Sequence, residues 1–216
     1  MLDYKKKPTN YYTHVRREIV DEVPIGSGSV LEIGCAGGRT GEALKTEGRA
    51  RWVTGIELIG IAAEQARSVL DQVLIGSVEQ MDLPFTEEQF DVVILADVLE
   101  HLIDPWAALR RIMPYLKPNG LMVVSLPNVR NWRVLMPLFF WGKWEYQDAG
   151  IMDRTHLRFF TRTGMIDLFN ACCLDVKKIS PVGRRSAGFL KLRLGFFSEL
   201  TAVQYVLVGQ IKRGAD

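Results

Sequence analysis

Four side chains of the types that bind metals or move protons fall into one short pattern and one later segment. Asp97, Glu100 and His101 have the spacing acidic-x-x-acidic-His, and His156 follows in the run 153–161. If the chain turns helical after Asp97, the first three side chains share one face. Carboxylates with imidazoles can bind a divalent cation, and a histidine can deprotonate a hydroxyl. We therefore predict Asp97, Glu100, His101 and His156 as candidate metal ligands, with His101 and His156 as candidate catalytic residues.

Apolar runs that alternate with helical segments form the frame that would position these groups. Buried strands are predicted at 30–33, 51–56, 73–75, 90–97 and 121–126. Asp104 and Pro105 are typical of a helix start, and this helix should end near Leu116, before a turn at 117–120. The alternation predicts an α/β fold with a doubly wound, mostly parallel sheet.

A glycine-rich loop follows the first predicted strand. The run 31–38 reads Leu-Glu-Ile-Gly-Cys-Ala-Gly-Gly, and Glu57 ends the next strand. Glycine lets a backbone turn sharply beside a ligand, and a carboxylate about 20 residues later is suited to holding a ribose. An adenosine-containing cofactor is therefore expected. Its predicted contacts are Glu32, Gly34, Cys35, Ala36, Gly38, Glu57, Leu58, Ser77, Val78, Asp97 and Tyr12.

The loop does not match a dinucleotide site. The G-x-G-x-x-G register is broken, because Gly34 is followed by two other residues before Gly37 and Gly38. Glu32 at the strand end would also repel a pyrophosphate. Its charge suits a cofactor with a cationic amino-acid tail. A nicotinamide-dependent dehydrogenase is therefore disfavoured relative to the other candidate functions.

The acidic-x-Gly loop and the order of the later motifs resemble class I S-adenosylmethionine-dependent methyltransferases over residues 28–128. Glu57 resembles the ribose-binding acid of that superfamily, and Ala36 stands where glycine is more usual. The resemblance implies S-adenosyl-L-methionine as the cofactor. It also implies a Rossmann-like sheet of seven strands, with a lid insertion after the fifth strand.

The pattern from Asp97 to His101 resembles two groups within that superfamily. These are the methyltransferases that modify the terminal 2′-hydroxyl of small RNAs and the ubiquinone-biosynthesis O-methyltransferases. The resemblance implies a divalent cation such as Mg²⁺, although Asp97 is one methylene shorter than the usual Glu. Three interpretations of His156 stay open: a metal ligand, a base without metal, or a structural residue beneath the lid.

The run 153–161 also resembles bacterial methyltransferases associated with glycan assembly. This resemblance favours a hydroxyl acceptor on a small molecule or a glycan. The predicted function is O-methylation of such a hydroxyl. The alternatives are a regulatory protein that binds S-adenosylmethionine without transferring it, and a small-RNA 2′-O-methyltransferase-like enzyme.

The chain is predicted to form one domain over 1–216. It divides into an N-terminal helical lid (1–27, with a helix at 11–23), a cofactor-binding half (28–127), an acceptor lid (128–160), and a C-terminal helix and strands (161–216). The acceptor lid is rich in aromatic residues between Trp132 and Tyr146, and the alternative is a helix packed on the sheet edge or a homodimer contact. The basic, apolar stretch 184–197 could touch a membrane or a lipid-linked substrate, or could be a solvated loop.

Composition restricts the remaining classes. A net charge of +2 gives no electrostatic reason to expect a nucleic-acid partner. Three cysteines, two of them adjacent at Cys172 and Cys173, cannot form a disulfide framework. With no apolar signal core at the start and no run long enough to cross a bilayer, a cytoplasmic location is expected.

Overall fold

A computed structural model describes residues 14–183 and 199–212. Seven strands form one sheet in the order β3-β2-β1-β4-β5-β7-β6. Their bounds are β1 Ser27–Ile33, β2 Ala50–Glu57, β3 Gln72–Ile75, β4 Phe90–Ala96, β5 Leu116–Pro127, β6 Leu174–Val182 and β7 Gln204–Ile211. Strands β1 to β5 pair in parallel, and β7 runs antiparallel between β5 and β6. The predicted doubly wound, mostly parallel sheet is confirmed.

Among the residues that the structure describes, α-helices connect or flank the strands. They are α1 Arg17–Val20, α2 Arg39–Thr46, α3 Gly60–Ala66, α4 Pro105–Ile112, α5 Trp132–Trp141 and α6 Arg162–Ala171. The predicted start of α4 is confirmed, because the Asp104 side chain accepts a hydrogen bond from the Ala107 amide and Pro105 follows it. Short 3₁₀ turns at Leu99–His101 and Met113–Tyr115 complete this part of the chain.

The core lies on both faces of the sheet because the central strands are apolar on both sides. In β4, Val93 and Leu95 pack into one cluster with α4 and α6, whereas Val92 and Ile94 pack into the other with α1, α2 and α3. Side chains two apart share a face of a strand, so this alternation requires helices on both sides. The sheet is thereby packed on both faces beneath the loops at its carboxyl edge.

The strand order reverses beside β1. The chain moves outward from β1 to β2 and β3, then crosses back to place β4 on the other side of β1. A crevice opens at the carboxyl ends of the strands at such a point, and ligands bind there in open α/β sheets. The loops after β1 and β4 therefore face each other across this crevice.

Several boundaries differ from the sequence prediction, and the helix predicted to end near Leu116 ends at Ile112. The N-terminal helix predicted at 11–23 is a single helical turn in the described part, Arg17–Val20, and residues 14–16 are not helical. The turn predicted at 117–120 lies within β5, because the ladder to β4 starts at Leu116 and resumes at Leu121 with a register shift. Pro118 fits such an irregularity, since proline cannot donate to a regular ladder. Within 14–183 and 199–212, no helix is long and apolar enough to cross a membrane.

Candidate active site

A cavity of about 380 Å³ occupies the crevice at the carboxyl ends of β1 to β4. Its volume lies in the usual range for small-molecule sites. Most of the predicted cofactor contacts line it: Glu32, Gly34, Cys35, Ala36, Glu57, Leu58, Ser77, Val78 and Asp97. These predicted contacts therefore share one crevice, and their contact with a cofactor stays a prediction.

Two predicted contacts lie elsewhere. Gly38 does not line the cavity; it precedes α2 with φ 77°, and a Cβ there would lie 2.8 Å from Val69 Cγ2 and 3.0 Å from Ala66 Cα. Glycine at this position therefore permits close packing against the end of α3. Tyr12 falls outside the described residues.

The loop after β1 bends through backbone conformations that favour glycine. Gly34 has φ 69° and Ala36 has φ 48°. The amides of Gly34 and Cys35 both donate to the Ile56 carbonyl, which ties the loop to β2. Ala36 thus holds a left-handed conformation with a Cβ present, which explains physically why glycine is more usual at that position.

Gly34→Ala should destabilise the fold by roughly 1–3 kcal/mol and weaken cofactor binding. A Cβ at Gly34 would meet Val98 Cγ2 at 2.6 Å. Gly48→Ala is the matched control, because Gly48 has φ 68° but nothing within 4 Å of an added Cβ. Urea unfolding of both variants separates the clash from the backbone strain. Equal losses of stability would contradict a packing role for Gly34.

Glu57 is fixed at the end of β2 by two backbone amides. Its Oε2 accepts from the Ala36 amide and its Oε1 from the Ile59 amide, each at 2.8 Å. Burial raises the pKa of Glu57, and these amides oppose the rise. Each carboxylate oxygen retains a second lone pair, so the group can still accept hydrogen bonds from a ribose.

Glu32 is buried at the end of β1, and its Oε2 has no hydrogen-bond partner among the described residues. Burial raises the pKa of Glu32 to about 8, against a backbone hydrogen bond from Gly41. Leaving a buried polar oxygen unpaired is costly, so such an atom at a cavity wall indicates a ligand that satisfies it. A positively charged ligand would do so best.

Asp97 follows β4 in a strained conformation, with φ 55°. Its carboxylate accepts from the Ser125 hydroxyl at 2.7 Å and from the Gln204 amide at 3.2 Å. It also forms an ion pair with Arg16, which lines the same cavity. Sequence reasoning missed Arg16 and Gln204, because neither belongs to a motif and both are distant from Asp97 along the chain.

Glu100, His101 and His156 form a cluster beside the cavity. One potential ligand atom from each lies within 4.8 Å of the others, and the two imidazole centroids are 4.8 Å apart. Both oxygens of the buried Glu100 lack a hydrogen-bond partner among the described residues. Asp97 is not a member of this group, since its carboxylate faces Arg16. Three of the four predicted ligands are therefore brought together.

Backbone carbonyls set the tautomer of both histidines. His101 Nδ1 lies 3.0 Å from the Thr155 carbonyl, and His156 Nδ1 lies 2.9 Å from the Ile151 carbonyl. A carbonyl oxygen can only accept, so Nδ1 carries the proton and the neutral ring has its lone pair on Nε2. Burial lowers the pKa of His101, while burial and the charge of Asp97 raise the pKa of Glu100 well above its ordinary value.

The two histidines differ in their access to the cavity. His101 lines it, whereas His156 is buried behind the His101 ring. Within the predicted acceptor lid (128–160), Leu157 is the residue that lines the cavity. The aromatic residues from Trp132 to Tyr146 were expected to border this crevice, and none of them lines the cavity itself. Helix α5 ends at Trp141, and the chain returns to the site with the segment that carries His156 and Leu157.

Comparison with known protein families identifies the family of this chain. The sequence profile of a family described as Methyltransferase domain matches residues 7–176, which is most of the chain. The chain belongs to the class I S-adenosylmethionine-dependent methyltransferases. The match covers both sides of the cavity, from Arg16 to His156.

Named relatives and solved structures agree with this assignment. The ubiquinone biosynthesis O-methyltransferase of Bradyrhizobium diazoefficiens is 37% identical over 115 residues, covering 50% of this chain and 43% of the relative. The protein of the same name from Cereibacter sphaeroides is 30% identical over 182 residues, covering 80% and 68%. A methyltransferase structure from Thermotoga maritima, 21% identical, superposes with a TM-score of 0.65 over 90% of this chain and 87% of its own. The chain spans about half the length of the first of these relatives.

The cavity fits the cofactor of this superfamily. Glu57 offers lone pairs for ribose hydroxyls, and the unpaired oxygen of Glu32 offers a partner for positive charge. Arg16 and Asp97 add one charge of each sign on the same wall, which complements an amino-acid zwitterion. The methyltransferase thus provides polar groups suited to the ribose and to the amino-acid part of S-adenosylmethionine.

Proposed function

We propose that this methyltransferase transfers the methyl group of S-adenosylmethionine to a hydroxyl of a small molecule or glycan. The observation that carries the proposal is His101, an imidazole on the cavity wall whose Nδ1 is held by the Thr155 carbonyl. Burial lowers the pKa of His101, which keeps the ring neutral near pH 7. A hydroxyl needs such a base, whereas a neutral amine already has a nucleophilic lone pair.

The cofactor, when bound, supplies a methyl group on a good leaving group. The protein's part is to align the acceptor oxygen with that methyl group and to exclude water, which can account for much of the rate. Glu57, Glu32 and the Arg16–Asp97 pair would orient the cofactor. Val98, Leu102 and Leu157 provide apolar walls between the cofactor loop and His101.

The acceptor's proton would pass to His101 Nε2. The Thr155 carbonyl holds the ring and stabilises the Nδ1 proton as positive charge develops. His156 packs against the His101 ring and fixes its orientation.

The cluster does not fit Mg²⁺ well. Mg²⁺ prefers an octahedron of oxygen atoms, whereas two of the three ligating groups here are imidazoles. A second carboxylate would come from Asp97, which is bonded to Arg16, Ser125 and Gln204. The donor set of two imidazoles and one carboxylate suits Mn²⁺ or Zn²⁺ better. The proposed role of His101 as a base therefore involves no cation.

The acceptor class can be tested with matched pairs of compounds. Methyl-labelled S-adenosylmethionine is incubated with a catechol, a phenol and a reducing sugar, each beside the amine of the same skeleton. Label should enter the hydroxyl compounds in preference to the amines. Preferential labelling of the amines would contradict O-methylation, and no labelling despite cofactor binding would favour the regulatory alternative. A chelator followed by added Mn²⁺ tests the cation separately.

S-adenosylmethionine and S-adenosylhomocysteine should stabilise the fold, by about 2.7 kcal/mol at a hundredfold excess over the dissociation constant. NAD should not, because the glycine register that a pyrophosphate site requires is broken by Cys35 and Ala36. Thermal unfolding with each ligand measures the effect. Stabilisation by NAD alone would contradict the assignment of the cavity.

Glu57→Ala should weaken S-adenosylhomocysteine binding by roughly 1–3 kcal/mol, because charged hydrogen bonds to the ribose are lost. The substitution also frees the Ala36 and Ile59 amides. Calorimetric titration gives the affinity, and urea unfolding without ligand shows how much of the loss comes from the loop. Unchanged affinity in a folded variant would rule out a ribose contact.

A further inference from the structure

Asp153 is a buried acidic residue in the loop that precedes His156. It is 5% exposed, and it does not line the cavity. Backbone hydrogen bonds close the loop around it, since the Gln147 amide donates to the Met152 carbonyl and the Arg154 amide donates to the Gln147 carbonyl. Burying a carboxylate costs free energy unless hydrogen bonds offset the cost. The partners of Asp153 therefore indicate what it holds in place.

Asp153 fixes the turn that follows it through both its side chain and its main chain. Its Oδ1 accepts from the Thr155 amide at 3.0 Å and from the Thr155 hydroxyl at 2.8 Å. Its carbonyl accepts from the His156 amide at 3.0 Å. Aspartate stabilises turns by local hydrogen bonds of this kind. The N–H groups of Thr155 and His156 are therefore both directed toward Asp153.

The peptide group between Thr155 and His156 connects Asp153 to the His101 ring. Its N–H donates to the Asp153 carbonyl, and its C=O lies 3.0 Å from His101 Nδ1. A trans peptide is planar, so its N–H and C=O point in opposite directions and the orientation of one sets that of the other. Asp153 thereby directs the Thr155 carbonyl at the histidine that lines the cavity.

The next anchor along the chain lies beyond this peptide group. The Glu100 carbonyl accepts from the amides of residues 157 and 158, at 2.8 and 3.0 Å. These bonds attach the segment to the 3₁₀ turn that carries His101. They leave the backbone before residue 157 able to rotate. The direction of the Thr155 carbonyl therefore depends on the hydrogen bonds of Asp153.

We propose that Asp153 is a positioning residue for methyl transfer, which holds the His101 ring through the Thr155 carbonyl. This role rests on the proposed function of His101 as a base. Without Asp153 Oδ1, the Thr155 amide and hydroxyl lose their acceptor, and the carbonyl can turn away from His101 Nδ1. The proton of the neutral ring can then occupy Nε2 instead. A ring protonated there cannot take the proton of an acceptor hydroxyl.

The state of the His101 ring can be measured without an acceptor. ¹⁵N NMR of the full chain labelled at histidine distinguishes the two neutral tautomers, and His101→Gln identifies the His101 signals among those of the three histidines. The parent chain should show the Nδ1-protonated tautomer, and Asp153→Ala should show a mixture of both. Asp153→Asn should resemble the parent chain, because its amide oxygen can accept the same two hydrogen bonds.

Asp148→Ala is the matched control, because Asp148 belongs to the same loop but is exposed and pairs with Arg154. It should keep the tautomer of the parent chain. S-adenosylhomocysteine should stabilise every variant, which shows that the fold is intact. An unchanged tautomer in folded Asp153→Ala would overturn the inference. Equal disturbance in Asp153→Asn and Asp153→Ala would also overturn it, because charge rather than hydrogen bonding would then control the ring.

Turnover measures the consequence for methyl transfer. With the acceptor found in the paired-compound test, Asp153→Ala should lower turnover by about 10–100-fold and leave KM for S-adenosylmethionine nearly unchanged. The same substitution added to His101→Gln should cost little more, since both act on one group. Losses that multiply would contradict action through His101. If no hydroxyl is methylated, the proposed function fails, and the tautomer measurement still decides whether Asp153 holds the ring.

Discussion

His101→Gln should lower the turnover of methyl transfer by about 10²–10⁴-fold while leaving the affinity for S-adenosylhomocysteine nearly unchanged. His101 lines the cavity, and its Nδ1 proton is held by the Thr155 carbonyl, so Nε2 is the atom that can take the acceptor's proton. Glutamine has a similar reach but cannot serve as a base at neutral pH. Steady-state turnover with the hydroxyl acceptor found in the paired-compound test measures the loss.

Two further measurements separate a base from a residue that only orients its neighbours. Added imidazole should restore part of the activity of His101→Ala, because it can occupy the vacated space and accept a proton. The turnover of the parent chain should fall as pH drops through the lowered pKa of His101, since the protonated ring cannot act as a base. No rescue, together with a pH profile identical in the variant, would contradict the assignment.

His156 provides the informative comparison. It is buried behind His101, and its Nδ1 forms a hydrogen bond with the Ile151 carbonyl. If His156 orients His101, then His156→Gln should reduce turnover less than His101→Gln and should retain the pH profile. A larger loss in His156→Gln would mean that His156 itself takes the proton, as one interpretation of the sequence allows.

Glu32→Gln should remove a large part of the pH dependence of stability measured without cofactor. The pKa of Glu32 is raised by burial from 4.5 to about 8 in the folded chain. Between these values the unfolded chain has lost the proton that the folded chain keeps. The folded state binds more protons, so the free energy of unfolding falls as pH rises, by roughly 5 kcal/mol at most from this group.

Urea unfolding at pH 5 and at pH 8 measures this difference. The parent chain should be more stable at pH 5, and Glu32→Gln should show a smaller difference between the two values. Glu100, whose pKa is also raised by burial, should account for some of the slope that remains. Glu64→Gln is the control, because Glu64 is exposed on α3 and should leave the slope as it is. A slope equal in all three proteins would show that Glu32 is ionised in the folded state.

Local patterns allowed the cofactor side of the site to be predicted from the sequence. A buried strand followed by a glycine turn is encoded in neighbouring residues, so the bend at Gly34 and the start of α2 were predictable. Glu57 was predictable because parallel strands align their carboxyl ends, and its distance along the chain puts it at the end of β2. The helix cap at Asp104 is likewise local.

Side-chain direction on the acceptor side was not predictable in this way. Asp97, Glu100 and His101 were expected on one face of a helical turn, but Asp97 adopts a left-handed conformation that turns its carboxylate toward Arg16. A one-residue change of backbone conformation separates groups that spacing alone would join. The direction of the aromatic side chains of α5 was also not predictable. Their number suggested the wall of a pocket, but in the structure these side chains are exposed on the outer surface.

The sequence by itself determined the α/β sheet, the glycine loop after β1 and the position of Glu57 at the end of β2. It also indicated that the segments carrying His101 and His156 lie near the carboxyl edge of the sheet. Only the tertiary structure decided that His101 faces the cavity with His156 behind it, that Arg16 pairs with Asp97, and that Glu32 retains an unpaired oxygen. The features that the sequence determined depend on hydrophobic periodicity and on strand alignment, which are encoded within a few residues or within one strand–helix–strand unit. The features that only the tertiary structure decided depend on contacts between residues far apart in the chain, whose geometry is fixed only when the helices close on both faces of the sheet.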